Sequence, residues 1–316
     1  MSGQQDRWSR RSFLRTTVAG TGAFLSQPLW AAESAKWPKV DRPLPKEASS
    51  RVQLGNRPIH PTFLAMGTGF RGYNHSSELT RKGEKAFRAV MDRAWERGIR
   101  FFDMADLYGS HSFVRKGLEG KSRKEVVLLT KIWPRKARWN TPSGGAKAEV
   151  SRFLEELGTD YLDVCLIHCM LDAQWPEQYQ RIREELEELK QQGVVRAVGV
   201  SCHDLGALRV AAEHPWVDVV LARINHRGGK PFRCDGPPEV IAGILRKARA
   251  NGKGVIGMKI FGEGHLVEPA EKDASIRFVL EHRLVDAMTI GFLRPEEVDD
   301  AVDRINRTLR ELRAKS

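Results

Sequence analysis

The 316-residue chain has only four cysteines, Cys165, Cys169, Cys202 and Cys234, and no two of them form a CxxC unit. That excludes a zinc ribbon or an iron–sulfur run as a sequence-readable centre. No stretch approaches the roughly 20 consecutive apolar residues that a spanning helix needs, so the mature protein is expected to have no transmembrane helix. Low-complexity segments are absent as well. Basic residues are plentiful, giving a formal charge of +12 and a pI of about 9.7, yet they are not gathered into a block. They are interspersed with acids along helical segments, which describes a solvated surface rather than a nucleic-acid face. A complete dinucleotide turn is missing too. Gly67-Thr68-Gly69-Phe70 lacks the third glycine and the helix that an open, doubly wound sheet places after an early strand.

The amino terminus is richer in signal. Ser9-Arg10-Arg11-Ser12-Phe13-Leu14-Arg15 precedes a mildly apolar stretch with Gly20 and Gly22 and then Ala31-Ala32. This resembles a twin-arginine export signal over residues 1–32, read by the export machinery as paired arginines. The protein is therefore expected to be exported and periplasmic or otherwise extracytoplasmic. Leu29 and Trp30 stand where small residues are preferred before a cleavage site, so a leader retained as an anchor is the alternative. Removing 1–32 takes away four Arg and one Asp and leaves a charge of +9. After export the cysteines would meet an oxidising compartment, where disulfides persist, but their spacing does not pair them.

Residues 33–50, rich in Pro, Lys and Ser, read as a linker, and a small hairpin is expected around Gly55-Asn56. From there to residue 316, short apolar runs alternate with helical segments. The runs fall at 63–66, 100–104, 126–131, 162–167, 197–200, 217–221, 255–258 and 285–290. Helical stripes such as Val150, Phe153, Leu154 and Leu157, or Ile182, Leu186 and Leu189, keep one face apolar. Eight such alternations have the rhythm of a (β/α)8 TIM barrel forming a single catalytic domain over 51–316.

Barrel chemistry sits at the carboxyl ends of the strands, and four polar residues occupy such positions. Asp103 and Tyr108 end the second run in "FFDMADLYG", Lys131 ends the third in "VVLLTKIW", and His168 ends the fourth in "YLDVCLIHC". Singly each has an ordinary structural explanation; successive strand ends, however, converge on one small volume. Together they suit proton delivery to a carbonyl oxygen. Lys131 would lower the phenol's pKa, Asp103 would hold the lysine charged, and His168 would orient the carbonyl. None of them can supply a hydride, so reduction requires a cofactor.

The segments "GIRFFDMADLYG", "LLTKIW" and "VCLIHC" resemble the tetrad segments of the aldo-keto reductase family, and the similarity runs from about Arg51 to Arg313. The resemblance implies an NAD(P)H-binding barrel that reduces an aldehyde or ketone without a metal, with Tyr108 as general acid and Asp103, Lys131 and His168 as its partners. It also implies a cofactor site. Ser201 in "AVGVSCHDL" would bind the nicotinamide carboxamide, with Cys202 at the family's Asn position. Arg223 falls where the family has Gln, and Met258 where a stacking aromatic is usual. Met258 can still cover a flat ring with its thioether. Lys259 with Gly262 and Gly264 would hold the pyrophosphate. At the adenosine end the usual basic and amide positions fall on Gly291, Glu297 and Ala301, leaving Arg294 as the cation there. Glu297 would repel a 2′-phosphate, so the cofactor is NADP by resemblance and NAD by charge. Loops 168–178 and 224–239, with Trp175, Asn225, His226, Arg227 and Phe232, are expected to shape a pocket for a polar or anionic carbonyl.

Three other readings compete. A barrel with altered cofactor positions would serve as a binding or sensory protein. Lys131 or Lys259 would support Schiff-base chemistry. His168, Cys169, Cys202 and His203 would bind zinc or copper if their side chains converged, although strand alternation argues against this, and no metal is expected.

Overall fold

A computed structural model of the chain describes residues 37, 38, 40, 42–135 and 145–315. The leader expected over 1–32 lies outside them. Eight parallel strands close into a barrel in sequence order. They are β1 (Leu64–Gly67), β2 (Phe101–Asp103), β3 (Val127–Ile132), β4 (Leu162–Met170), β5 (Val195–Cys202), β6 (Val219–Arg223), β7 (Gly254–Met258) and β8 (Ala287–Gly291). Each is followed by one principal helix: α1 (Glu84–Glu96), α2 (His111–Gly117), α3 (Ala146–Leu157), α4 (Gln180–Gln191), α5 (Leu205–Glu213), α6 (Pro238–Ala250), α7 (Pro269–Glu281) and α8 (Pro295–Ala314). Each of the eight apolar runs overlaps one of these strands.

Period-two alternation divides the strand residues into two cores. Ala65, Phe101, Val127, Leu129, Val164, Leu166, Ala197, Val219, Leu221, Ile256 and Ala287 fill the barrel's interior. Their neighbours, among them Met66, Phe102, Leu128, Cys165, Val198, Val200 and Met288, face the helices. Helix spacing supplies the other side of that outer layer. Phe87, Val90, Met91 and Ala94 form the buried stripe of α1, and Val298, Ala301, Val302, Ile305 and Leu309 that of α8. Truncating a fully buried ring such as Phe101 to alanine would cost about 3–5 kcal/mol.

The hairpin expected around Gly55 closes the amino-terminal end of the barrel. Val52 N–H donates to Pro61 O and Leu54 N–H to Ile59 O, while Leu54 and Ile59 plug the interior core. Gly55 has φ +62°, and a Cβ there would lie 2.3 Å from Gly254 N, so this contact tolerates no side chain. The stretch read as a linker is bound to the wall where it is described. Arg42 pairs with Asp286 at 2.7 Å, Asp286 also accepts from Arg249, and Ala48 N–H donates to Asn306 Oδ1 at 2.7 Å. A cavity of about 720 Å³ lies between residues 42–46, the hairpin and Asp286, at the end away from the strand carboxyl termini. Among the described residues no helix is long and apolar enough to cross a membrane.

Candidate active site

Continuing the inward alternation one step past the interior core selects the polar ring at the barrel's mouth. From Phe101, Leu129, Leu166, Gly199, Leu221 and Ala287 it reaches Asp103, Lys131, His168, Ser201, Arg223 and Thr289. The four residues expected to carry the chemistry meet there. Lys131, 1% exposed, is ion-paired with Asp103 and donates to Met104 O at 2.7 Å. Its ammonium lies 4.9 Å from the centre of the Tyr108 ring. The Tyr108 hydroxyl is 3.3 Å from His168 Nε2, with the two rings nearly perpendicular.

Tyr108 sits on a single 3₁₀ turn, Asp106–Tyr108, ended by Gly109 in the left-handed region. Its ring is gripped by the loop after β1. A Cβ at Gly69 would fall 2.3 Å from the Tyr108 Cζ, and one at Gly72 2.3 Å from its Cδ1. In sequence Gly69 reads only as part of an incomplete dinucleotide turn, a pattern that carries no sign of this contact.

Burial dominates the electrostatics. It pushes the Tyr108 phenol well above its ordinary value, with Asp103, Cys169 and Glu263 adding to the effect and Arg223 opposing it. The Lys131 ammonium expected to lower the phenol is paired with Asp103 beside the ring, and burial sets the direction of the shift. Burial likewise pulls Lys131 below its ordinary value, against the pull of Asp103. His168 is held well below its usual range by burial and then by the Lys131, His203, Arg135 and Lys259 charges. The site thus presents a protonated phenol beside a neutral imidazole.

From Tyr108 an open cleft of about 400 Å³ runs between the carboxyl ends of β7 and β8. Asp103, Met258, Lys259, Gly264 and Arg294 line it, together with Gly67, Phe261, Thr289, Gly291 and Phe292. Several features fit a dinucleotide: a glycine-lined edge, apolar surface from Met258 and Phe261, and three cations in Lys259, Lys272 and Arg294. The most specific is Thr289, 6% exposed, whose buried Oγ1 has no hydrogen-bond partner among the described residues. It lies inside an apolar run, but the alternation would have singled it out.

Other expected cofactor positions divide. Met258 and Lys259 line the cleft, with Lys259 held by Glu263 at 2.7 Å. Gly262 is buried beneath the cleft beside Leu266. Ser201 Oγ accepts the Cys169 N–H at 2.7 Å, on the β4 side of the mouth. Cys202 is fully buried in the outer core, since it alternates with Ser201, and cannot reach a cofactor. Arg223 points inward but is paired with Asp235 at 3.2 Å. Ala301 is buried in the α8 stripe. Glu297 accepts the Leu293 N–H at 2.7 Å and pairs with Arg294 at 3.1 Å.

The loops also require correction. Trp175 is fully buried beside His214 and Trp216, away from the mouth. Asn225 is fully buried and organises its own loop, accepting from Arg227 and Gly228 N–H. His226 and Arg227 pair with Glu271. The aromatic and cation that do face His168 come from the β3 loop. The Trp133 ring is 5.5 Å from that of His168, and the Arg135 guanidinium lies 4.5 Å from the Trp133 ring centre. Among the described residues no group of three or more His, Cys, Asp or Glu is arranged to hold a metal, and all four cysteines are unpaired thiols.

The chain is similar to a D-threo-aldose 1-dehydrogenase from a Pseudomonas species, 24% identical over 58% of this chain and 62% of that protein. It is also similar to a glyoxal reductase from Bacillus subtilis, 29% identical over 50% of this chain and 51% of that protein. These matches span roughly half to three-fifths of the relatives' lengths. The fold is shared with an aldo-keto reductase from Klebsiella pneumoniae solved with NADPH, at a TM-score of 0.59 and 18% identity over 84% of this chain and 94% of that one. The model of the aldo/keto reductase family matches residues 65–313, and the chain belongs to that family.

Proposed function

We propose that the protein is an NAD(P)H-dependent reductase of small aldehydes or ketones, exported by the twin-arginine route. The observation that carries this reading is the Tyr108–His168 pair set against the buried Lys131–Asp103 ion pair at the head of the cleft. A carbonyl oxygen between Tyr108 and His168 takes hydrogen bonds from both, which orients and polarises it. A bound nicotinamide supplies the hydride that these side chains lack. As the oxygen gains charge, the phenol proton passes to it, and the Lys131 ammonium offsets the charge left on Tyr108. Asp103 fixes that ammonium in place.

The name of the Bacillus subtilis relative gives glyoxal as its substrate, which favours small aldehydes here. Arg135 and Arg223 near the mouth favour those with an anionic or strongly polar group. In the cleft the three cations face four carboxylates, Asp103, Glu263, Glu297 and Asp300. Each cation is paired with one of them, Lys259 with Glu263, Lys272 with Asp300 and Arg294 with Glu297. Among the described residues of the cleft no cation is left over for a 2′-phosphate, so NAD is the preferred partner. Export rests on Arg10-Arg11-Ser12-Phe13.

Fluorescence titration with NADH and NADPH, followed by aldehyde-dependent oxidation, tests the reading. Both should bind, NADH more tightly, and Tyr108→Phe should abolish turnover with dinucleotide affinity within a factor of about three. Absence of binding would favour a binding or sensory barrel. Undiminished turnover in the variant would sink the assignment of Tyr108.

A further inference from the structure

Beside the tetrad stands a second pair that the proposed reduction does not use. Cys169 Sγ lies 2.9 Å from His203 Nδ1, where the ends of β4 and β5 meet. Cys165, Cys202 and Cys234 are at most 1% exposed, whereas Cys169 is only partly buried. His203 is likewise only partly buried.

Its backbone is held from both sides. Ser201 Oγ accepts the Cys169 N–H at 2.7 Å, and Arg135 donates to the Cys169 carbonyl at 3.0 Å. The residue is thereby kept in the left-handed region at φ +70°, which costs a non-glycine residue about 1 kcal/mol or more. The strain falls where β4 loses register with β5, between Ile167 and Met170. A thiol that merely filled space would not need this arrangement. The next ring belongs to His168, 6.4 Å from that of His203, and His168 is 3% exposed with an Nδ1 that has no partner among the described residues. A polar atom left unmet at this depth is one that a catalytic role or a bound group would explain.

We propose that Cys169 and His203 form a nucleophilic thiol–imidazole site that captures small carbon electrophiles, aldehydes above all, as covalent adducts at the mouth of the barrel. Burial, then the Arg223, Lys259, Arg135 and Lys131 charges, hold His203 well below its usual range, so it rests neutral with Nδ1 facing the thiol at 2.9 Å. Burial also raises the thiol, against the pull of Arg135 and Arg223, so Cys169 rests as S–H and loses its proton only as it reacts. In the addition, the sulfur electron pair forms the C–S bond and the carbonyl π pair moves to oxygen. The thiol proton passes to His203 Nδ1 and then to that oxygen, giving a hemithioacetal with no oxidant or reductant consumed. The site does not depend on dinucleotide binding, so it stands apart from the reductase reading.

Iodoacetamide labelling at neutral pH without cofactor, followed by intact mass and peptide mapping, tests it. Here the sulfur displaces iodide and the proton goes to His203. One adduct is expected in the folded protein, on Cys169, and none in Cys169→Ser. His203→Gln and His203→Asn should each slow labelling at least tenfold, with the native circular dichroism spectrum retained in at least one. Millimolar glycolaldehyde should slow labelling of the wild type and equally of Tyr108→Phe, in which reduction is blocked. First labelling at another cysteine, or a rate within twofold of wild type in a folded His203 variant, would overturn the proposal. Absence of glycolaldehyde protection would overturn the assignment of aldehydes as its ligands.

Discussion

Thr289 has a hydroxyl buried on the wall of the cleft with nothing among the described residues to bond to. A buried polar group left unmet costs about 1–3 kcal/mol, and a ligand that bonds to it recovers part of that cost on binding. Thr289→Val removes the group while keeping the shape. The expected result is a loss of roughly tenfold in dinucleotide affinity, with a melting temperature equal to or above wild type. Affinity unchanged within a factor of two would mean that the hydroxyl faces no ligand. The same position shows what can be read at the residue level. Asp103, Tyr108, Lys131 and His168 stand out because polar groups at strand ends are conspicuous. Thr289 is hidden because its neighbours are apolar. Cys202 falls at the family's Asn position in sequence, but strand alternation turns it away from the Ser201 side and into the outer core.

Two elements fix the geometry around Tyr108. The first is the loop after β1, whose Gly69 and Gly72 leave the ring no room to shift. Gly69→Ala should reduce kcat about a hundredfold, since a displacement near 1 Å is worth that much. A kcat within twofold of wild type would show that the ring can yield. The second is the junction of α2 and α3. His111 Nδ1 meets Glu156 at 2.7 Å while its Nε2 meets Thr130 at 2.7 Å, and Arg152 joins Glu156 to Glu149 and the buried Asp106. Burial opposes ionisation of Glu156, yet hydrogen bonds and charge from His111 and Arg152 overcome it and hold the carboxyl to about 2. A carboxyl depressed in this way stabilises the fold fully above its ordinary value of 4.5, and the contribution disappears as pH falls toward 2. Glu156→Gln should therefore lower the melting temperature at neutral pH by roughly 2–4 °C, for a loss of about 1 kcal/mol. The difference from wild type should vanish in acid, and a constant offset across that range would refute the linkage. Strands and principal helices were legible because their periods are long and regular. Loop roles were not, since Trp175 and Asn225 are polar or aromatic for reasons of packing that spacing does not reveal.

At the scale of the molecule, sorting of the interior and exterior cores makes one closed barrel with a floor and a mouth. The eight-fold alternation made that architecture readable from the sequence, because a barrel repeats one simple unit. Destination is a separate property, which we propose the paired arginines carry. Arg10→Lys with Arg11→Lys should leave the folded protein in the cytoplasmic fraction with its specific activity intact, as the barrel begins well beyond them. Unchanged periplasmic recovery of that variant would remove the twin-arginine assignment.

The tie between Arg42, Asp286 and Arg249 has a practical consequence. It brings the chain onto the barrel at the floor, on the side opposite Tyr108. An affinity resin, a sensor surface or a bilayer attached upstream of Arg42 would therefore leave the mouth facing outward, open to diffusing small molecules.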